Sequence, residues 1–153
     1  EGELFGFQGR SIGPSNVKYI TVILDESIPK VYGLDEVSTD ETIYVTEGPF
    51  DSTFVKNAIA MCGSDILLDS LNLGDDIVYV LDNEPRNKEI VKLMEDAIKL
   101  GYDIVIWPNT IEQKDINEMV MSGISPDEIE RIISSNSLSG LKAQMRFVSW
   151  KRI

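Results

Sequence analysis

The stretch IYVTEGPFDSTFV, residues 43–55, decides the fold because it places two acids where a buried strand ends. Its start, IYVTE, is rich in β-branched and apolar residues, which predicts a strand buried in a sheet. Glu47 is the last residue of this strand, and Asp51 follows three residues after Gly48. The stretch therefore raises one question, namely why a chain places two acids at the edge of a buried strand.

Strands and helices alternate along the rest of the chain. Apolar runs predict further strands at 65–69, 76–82 and 103–108. Apolar residues at helical spacing predict helices at 52–61, 85–101, 114–123, 125–135 and 139–150. This order predicts an α/β fold, a parallel sheet flanked by helices on both faces, in which ligands bind beyond the carboxyl ends of the strands.

The first 42 residues differ from this regular pattern because glycines interrupt them. They predict a short hairpin at 3–12, a strand at 18–24, and a turn that leads into a short helix before Ile43. We expect a small irregular and β segment ahead of the α/β part.

The composition limits the kinds of site that the chain can form. It has no histidine and one cysteine, Cys62, which excludes Ser-His-Asp triads and zinc sites built from several thiolates. Any metal must then be held by oxygen, which indicates magnesium, manganese or calcium. The net charge of −12 argues against tight binding of nucleic acid by phosphate neutralisation alone. No apolar run approaches the ~20 residues that span a bilayer, so no membrane partner is expected.

Acids recur at the predicted strand ends. Asp82 ends the strand after the one that Glu47 ends, and Lys114-Asp115 follows the next strand after a short loop. Asp82 and Glu84 are two positions apart, so on an extended chain their carboxylates lie on one side, with Cα atoms about 6.5 Å apart. Together with Glu47 or Asp51 they are a candidate site for one or two divalent ions.

Helix capping is the alternative explanation for these acids. Asp51 is placed to cap a helix that starts at residue 52, because the first backbone N–H groups of a helix lack partners. Pro85 suits a first helical position, which makes Glu84 the N-cap candidate of the next helix. Glutamate is not a preferred N-cap residue, and this favours the metal site for Glu84.

These motifs resemble the TOPRIM domain. Glu-Gly after a strand, Asp51 after the glycine, and an acid-x-acid pair at the end of the next strand carry the resemblance, which covers about residues 42–125. Type IA and type II topoisomerases, DnaG-type primases and several nucleases share this domain.

The upstream segment resembles the primases among these families. LFGFQGRSI is similar to their glycine-rich GFGGR segment, VKYI to KYLN, and KVYGLDEV to the LYGLxxA that precedes the first TOPRIM strand. The DNEPRNKE version of the acidic motif suggests a diverged, phage-type primase. The resemblance divides the chain into the end of a primase core subdomain (1–41), the TOPRIM domain (42–125) and a C-terminal helical segment (126–153).

The resemblance implies roles for individual residues. Glu47 is implied as the general acid/base or metal-orienting carboxylate, Asp82 and Glu84 as catalytic ligands of Mg²⁺ or Mn²⁺, and Asp115 as a ligand of a further ion. Asp51 and Asn117 are implied to support these ligands without binding the metal themselves. Arg10, Lys18 and Lys30 are implied as contacts to template or nucleotide phosphates. Two residues depart from the family pattern, because Glu84 and Asn117 stand where primases usually have aspartate and another acid.

The function implied is that of a DNA primase catalytic core, which makes RNA primers on single-stranded DNA from nucleoside triphosphates. A replicative helicase is the implied protein partner, and a phage protein of this kind works in the host cytoplasm. The chain starts with a glutamate, so we expect a fragment of a longer chain. The resemblance places part of the family's catalytic core ahead of residue 1, which implies that the fragment is inactive alone. Two alternatives remain: a TOPRIM nuclease that cleaves phosphodiesters, and a non-catalytic TOPRIM-like scaffold that binds replication proteins.

Overall fold

A computed structural model describes residues 3–17, 19–27, 29–63, 71 and 73–153 of the chain. The chain divides into two compact units, Glu1–Lys30 and Val31–Ile153. Within the described residues, no helix is long and apolar enough to cross a membrane. The predicted strand at 65–69 lies outside the described residues, and so does Lys18.

The N-terminal unit contains an antiparallel hairpin. Strand β1 (Gly6–Arg10) pairs with β2 (Tyr19–Ile23). Gln8 faces Thr21 across this pair, and its Nε2 donates a hydrogen bond of 3.0 Å to the Thr21 hydroxyl. The strand predicted at 18–24 therefore forms, but the hairpin predicted within 3–12 does not, because β1 finds its partner in β2.

The second unit is built around a six-stranded sheet with the order β3-β5-β4-β6-β7-β8. Its four inner strands, β5, β4, β6 and β7, are parallel, and the two edge strands are antiparallel to their neighbours. The strands are β3 (Val31–Tyr32), β4 (Ile43–Thr46), β5 (Ala58–Met61), β6 (Ile77–Val80), β7 (Asp103–Val105) and β8 (Ser137–Leu138).

Helices cover both faces of this sheet, as the sequence predicts. They are α1 (Pro49–Ser52), α2 (Lys88–Leu100), α3 (Ile116–Met121), α4 (Pro126–Asn136) and α5 (Gly140–Trp150). Strand β6 shows the two layers, since Ile77 and Tyr79 pack in the core with α2 and α5, while Val78 and Val80 pack in the core with α3 and α4. Burial on both faces explains why this strand is an unbroken apolar run.

Helix α2 begins later than its proline suggests. Its N-cap is Asn87, whose side-chain oxygen accepts a hydrogen bond from the backbone N–H of Glu89, and Gly101 ends it at φ 88°. The predicted start at Pro85, with Glu84 as N-cap, is therefore wrong. Asparagine satisfies an N-terminal N–H group better than glutamate does, and this leaves Glu84 in the loop ahead of the helix.

The predicted helix at 52–61 is also wrong. Helix α1 ends at Ser52, and Ala58–Met61 form β5 between β3 and β4. Asn57 turns the chain into this strand with a left-handed φ of 50°. A strand buried on both faces carries consecutive apolar residues, which match a helical pattern equally well over so short a run. Strand β3 likewise replaces the short helix predicted before Ile43.

The order of the inner strands creates a crevice at their carboxyl ends. From β4 the chain moves to β5 on one side, whereas from β6 it moves to β7 on the other side. The two connections diverge between the neighbouring strands β4 and β6, and open α/β sheets bind ligands at such a switch point. The residues that follow Thr46 and Val80 therefore line this crevice.

The Asn57 turn gives a test of the fold. Its side chain accepts a hydrogen bond from the Ser38 N–H and donates to the carbonyl oxygens of Ser38 and Thr42, which fixes the loop before β4. We expect Asn57→Ala to lower the free energy of unfolding by about 3 kcal/mol, since it loses these bonds and strains the left-handed backbone. Asn57→Gly keeps the backbone relaxed and should cost about 1 kcal/mol less.

Urea denaturation of both variants measures this difference, with Asn109→Ala at an exposed loop position as the control. Equal losses for alanine and glycine would show that the turn conformation does not matter.

Candidate active site

The first acid of the site, Glu47, joins the ends of the two central strands. It directly follows β4, and its Oε1 accepts a hydrogen bond of 2.8 Å from the backbone N–H of Asp82, which lies just beyond β6. Parallel pairing of Thr46 with Val80 brings these two segments side by side. The Glu47 carboxylate therefore lies against the backbone of Asp82 at the switch point, and the metal role of the two acids stays a prediction.

Both carboxylates of the acid-x-acid pair contact the same ammonium group, that of Lys114. The ammonium nitrogen of Lys114 lies 3.4 Å from Asp82 Oδ2 and 3.7 Å from Glu84 Oε2. The segment is not extended, because the Glu84 N–H donates to the Asp82 carbonyl at 2.9 Å in a tight three-residue turn. The two carboxylates still share one side of the chain, so the sequence-based prediction of a convergent pair holds by a different backbone geometry.

Asn83, between the two acids, fastens the whole segment. Its side-chain amide donates to the carbonyl oxygens of Ile111 and Gln113, at 3.0 and 3.1 Å, and its backbone N–H donates to the Lys114 carbonyl at 2.6 Å. Its side-chain oxygen accepts a hydrogen bond of 3.2 Å from the indole of Trp150 in α5. Sequence reasoning missed both Asn83 and Lys114 as parts of the site.

Asp51 and Asp115 both bind the N-terminus of α3. Asp51 Oδ1 accepts a hydrogen bond of 2.9 Å from the Asn117 N–H, and Asp115 is the N-cap, with Oδ1 accepting from Glu118 N–H at 2.7 Å. Asp51 thus lies inside α1 and supports a helix distant in sequence, not the one that follows it. A Cβ at Gly48 would stand 2.8 Å from Asp51 Oδ2, so a larger residue there would push this carboxylate aside.

The crowding of carboxylates changes their acidity. Burial, followed by the charge of Glu47, raises the pKa of Asp82 to about 7, although Lys114 acts against this. Burial also raises the pKa of Glu47 and that of Asp51. Burial lowers the pKa of Lys114, but the neighbouring charges of Asp82 and Glu84 outweigh it and leave this pKa raised. The cluster has an excess of negative charge that favours a bound cation.

The donor set suits a hard divalent cation. Carboxylate oxygens are the ligands that Mg²⁺ and Mn²⁺ prefer, and Glu47, Asp82 and Glu84 offer them from the segments that follow β4 and β6. In the part of the chain that the structure describes, no group of three or more acidic or cysteine side chains stands close enough to hold a metal ion. Lys114 contacts two of the three carboxylates, so their charge is already partly compensated by the protein itself.

Arg10 and Lys30 belong to the N-terminal unit, where both are exposed and the Arg10 guanidinium lies over the Tyr19 ring at 5.4 Å. Trp107 is fully buried and donates a hydrogen bond of 2.7 Å to the Leu81 carbonyl, so it is a packing residue. The roles of Arg10 and Lys30 as phosphate contacts stay predictions.

Comparison with known proteins adds a relative and several related folds. No protein-family model matches the chain. The DNA primase of Enterobacteria phage T4 is 35% identical to it over 155 residues, which cover 99% of this chain and 45% of that primase. The chain thus spans less than half the length of the curated relative that it matches.

Three solved primase structures share the fold. They are the Aquifex aeolicus primase with its zinc-binding and RNA polymerase domains (TM-score 0.64, 20% identity), the E. coli primase catalytic core (0.63, 17%) and a DnaG catalytic core (0.60, 16%). They are matched over 90%, 90% and 95% of this chain, and over 38%, 49% and 57% of their own. The resemblance to DnaG-type and phage-type primases and the predicted α/β fold class are confirmed.

The pKa of Asp82 can be measured directly. We expect the Asp82 carboxyl to titrate near pH 7 in carbon-13 NMR of the metal-free protein. The chain has no histidine, so no imidazole obscures this range. Because this pKa is raised above the ordinary aspartate value of 3.8, the native state keeps the proton to a higher pH than the unfolded chain does. Stability should therefore fall as the pH rises from about 4 to about 7.

Asp82→Asn should reduce this loss of stability, while Asp127→Asn at an exposed position of α4 should leave it unchanged. A carboxyl that titrates near pH 4 would contradict the electrostatics described above.

Proposed function

We propose, from the homology of the chain with a phage DNA primase, that it is part of a catalytic core that makes RNA primers on single-stranded DNA. The observation that carries this proposal is that Glu47 accepts the Asp82 N–H at the switch point of the sheet while the Asp82 and Glu84 carboxylates share Lys114 beside it. The substrates would be a single-stranded DNA template and nucleoside triphosphates. The site would work in the host cytoplasm beside a replicative helicase.

Three carboxylates would hold the divalent cations of this reaction. Asp82 and Glu84 would bind Mg²⁺ or Mn²⁺, and Glu47 would orient the metal or act as general acid/base. Asp115 would serve a further ion while it caps α3, and Asp51 and Asn117 would support the site through the hydrogen bond that joins them. Divalent ions in such sites activate a hydroxyl and neutralise phosphate charge during nucleotidyl transfer.

The protein's contribution would be to hold the carboxylates in position. The hydrogen bond from Asp82 N–H to Glu47 fixes the side chain of one strand end to the backbone of the next. Asn83 binds the loop of residues 111–114 on one side and Trp150 on the other, so the acid-x-acid segment has little freedom. Preorganised carboxylates bind a cation without first losing side-chain entropy, which favours catalysis by a rigid cluster.

Contacts to the phosphate backbone would come from the N-terminal unit. Arg10, Lys18 and Lys30 would provide them, with Arg10 suited to a phosphate because its planar fork donates two hydrogen bonds at once. The chain has 26 acids against 14 bases, so these contacts would supply position more than affinity.

Metal binding provides the first test. Calorimetric titration of the chain with Mg²⁺ or Mn²⁺ should show binding that Asp82→Asn combined with Glu84→Gln weakens by about a hundredfold, the loss expected when metal-site carboxylates are removed. The matched control is Asp40→Asn with Glu41→Gln, which removes the same two charges ahead of β4, at the opposite end of the sheet. Equal affinity in both double variants would contradict a metal site at the strand ends.

The pH dependence of this binding follows from the pKa of Asp82. Since metal binding requires the ionised carboxylate, the apparent affinity should rise about tenfold per pH unit below pH 7 and level off above it.

Primer synthesis provides the second test. The complete protein, incubated with single-stranded DNA, ribonucleoside triphosphates and Mn²⁺, should produce short oligoribonucleotides. Glu47→Gln should lower the rate at least a hundredfold, since it removes a carboxylate of the reaction centre. Cleaved DNA without oligoribonucleotides would instead identify a nuclease, and the absence of both products with retained binding of a replication protein would identify a scaffold.

A further inference from the structure

Lys114 contacts the acid-x-acid pair, yet the proposed reaction gives it no role. Its ammonium group reaches both Asp82 and Glu84, at 3.4 and 3.7 Å. Two other lysines that form ion pairs in the described residues, Lys56 and Lys99, each contact a single carboxylate. Lys114 therefore stands at the point toward which both acids of the pair are directed.

The backbone of Lys114 is held by the site itself. Its carbonyl oxygen accepts the hydrogen bond from Asn83, and its N–H donates to Glu118 Oε2 at 3.0 Å. The next residue, Asp115, is the N-cap of α3. The backbone of Lys114 is therefore held between the acid-x-acid segment and the start of α3. Only its side chain can move away from the two carboxylates.

Partial burial of the two carboxylates explains why the contact matters. The Asp82 side chain is only 17% exposed and that of Glu84 is 32% exposed, so water compensates their charges incompletely. The Lys114 side chain is 47% exposed and can turn to solvent at small cost. A divalent cation that binds Asp82 and Glu84 must therefore displace the Lys114 ammonium group, which water can solvate once it leaves.

We propose that Lys114 is a built-in counter-cation of the Asp82–Glu84 pair, which compensates the pair when no metal is bound and competes with the divalent cation for it. This inference rests on the proposed function, in which these two acids hold the metal. Lys114 acts on the reaction only through the carboxylates, because it sets the metal concentration at which the cation occupies them.

The competition has a definite sign. Replacing Lys114 by an uncharged residue removes both a competitor for the oxygens and a positive charge that repels the metal. Loss of the lysine should then tighten metal binding. If Lys114 instead held the carboxylates in a geometry that the metal needs, its loss would weaken metal binding.

The test is calorimetric titration of the 153-residue chain with Mn²⁺ and with Mg²⁺ at pH 8. Lys114→Met should lower the dissociation constant about fivefold or more, the effect of removing one partly screened charge at contact distance. Lys114→Arg keeps the charge and should stay within about twofold of the unchanged protein. Lys56→Met is the matched control, because it removes the same charge at a lysine that pairs with Glu130 in α4, and it should also stay within about twofold.

The outcomes separate the two proposals. Metal binding by the unchanged chain, with no tightening or with weakening in Lys114→Met, overturns the counter-cation and leaves the proposed function standing. No metal binding by the unchanged chain and tight binding by Lys114→Met supports the counter-cation in its strongest form. No binding by either protein, with native circular dichroism for both, overturns the metal site and the inference with it.

Discussion

Mutual repulsion of carboxylates is the constraint on which this site depends. The parallel pairing of β4 with β6 brings Glu47 against Asp82, and the tight turn after Asp82 brings Glu84 to the same place. Burial prevents water from compensating these charges, so the protein must supply hydrogen bonds, protons or cations. It uses a backbone N–H for Glu47 and the ammonium group of Lys114 for the other two acids.

The sequence predicts the fold well where local pattern and burial agree. Strands β4, β6 and β7 are recognisable because each lies within a continuous apolar run. Helix α2 is recognisable because its apolar stripe continues over several turns. Strand β5 is not recognisable, since its three buried residues and one half-buried residue show no alternation. Its start depends on the left-handed turn at Asn57, and its partners are strands that local sequence does not reveal.

The candidate site shows the same division. Glu47, Asp82 and Glu84 can be found from sequence because each follows a recognisable strand and because the spacing of the last two is itself a motif. Asn83 and Lys114 cannot, since their importance lies in hydrogen bonds and ion pairs between segments about thirty residues apart. Capping is just as difficult to predict, because Asp51 binds the N-terminus of a helix 66 residues further along the chain.

The hydrogen bond between Asn83 and Trp150 has a consequence for the acidic motif. It joins the acid-x-acid segment after β6 to the last turn of α5. The N–H of Arg152 adds a second connection, because it donates to the Pro85 carbonyl. Loss of the indole at position 150 would leave the Asn83 side-chain oxygen without this donor, although the Asn83 amide would keep its bonds to the 111–114 loop. The position of the acidic motif therefore depends in part on a residue 67 positions further along the chain.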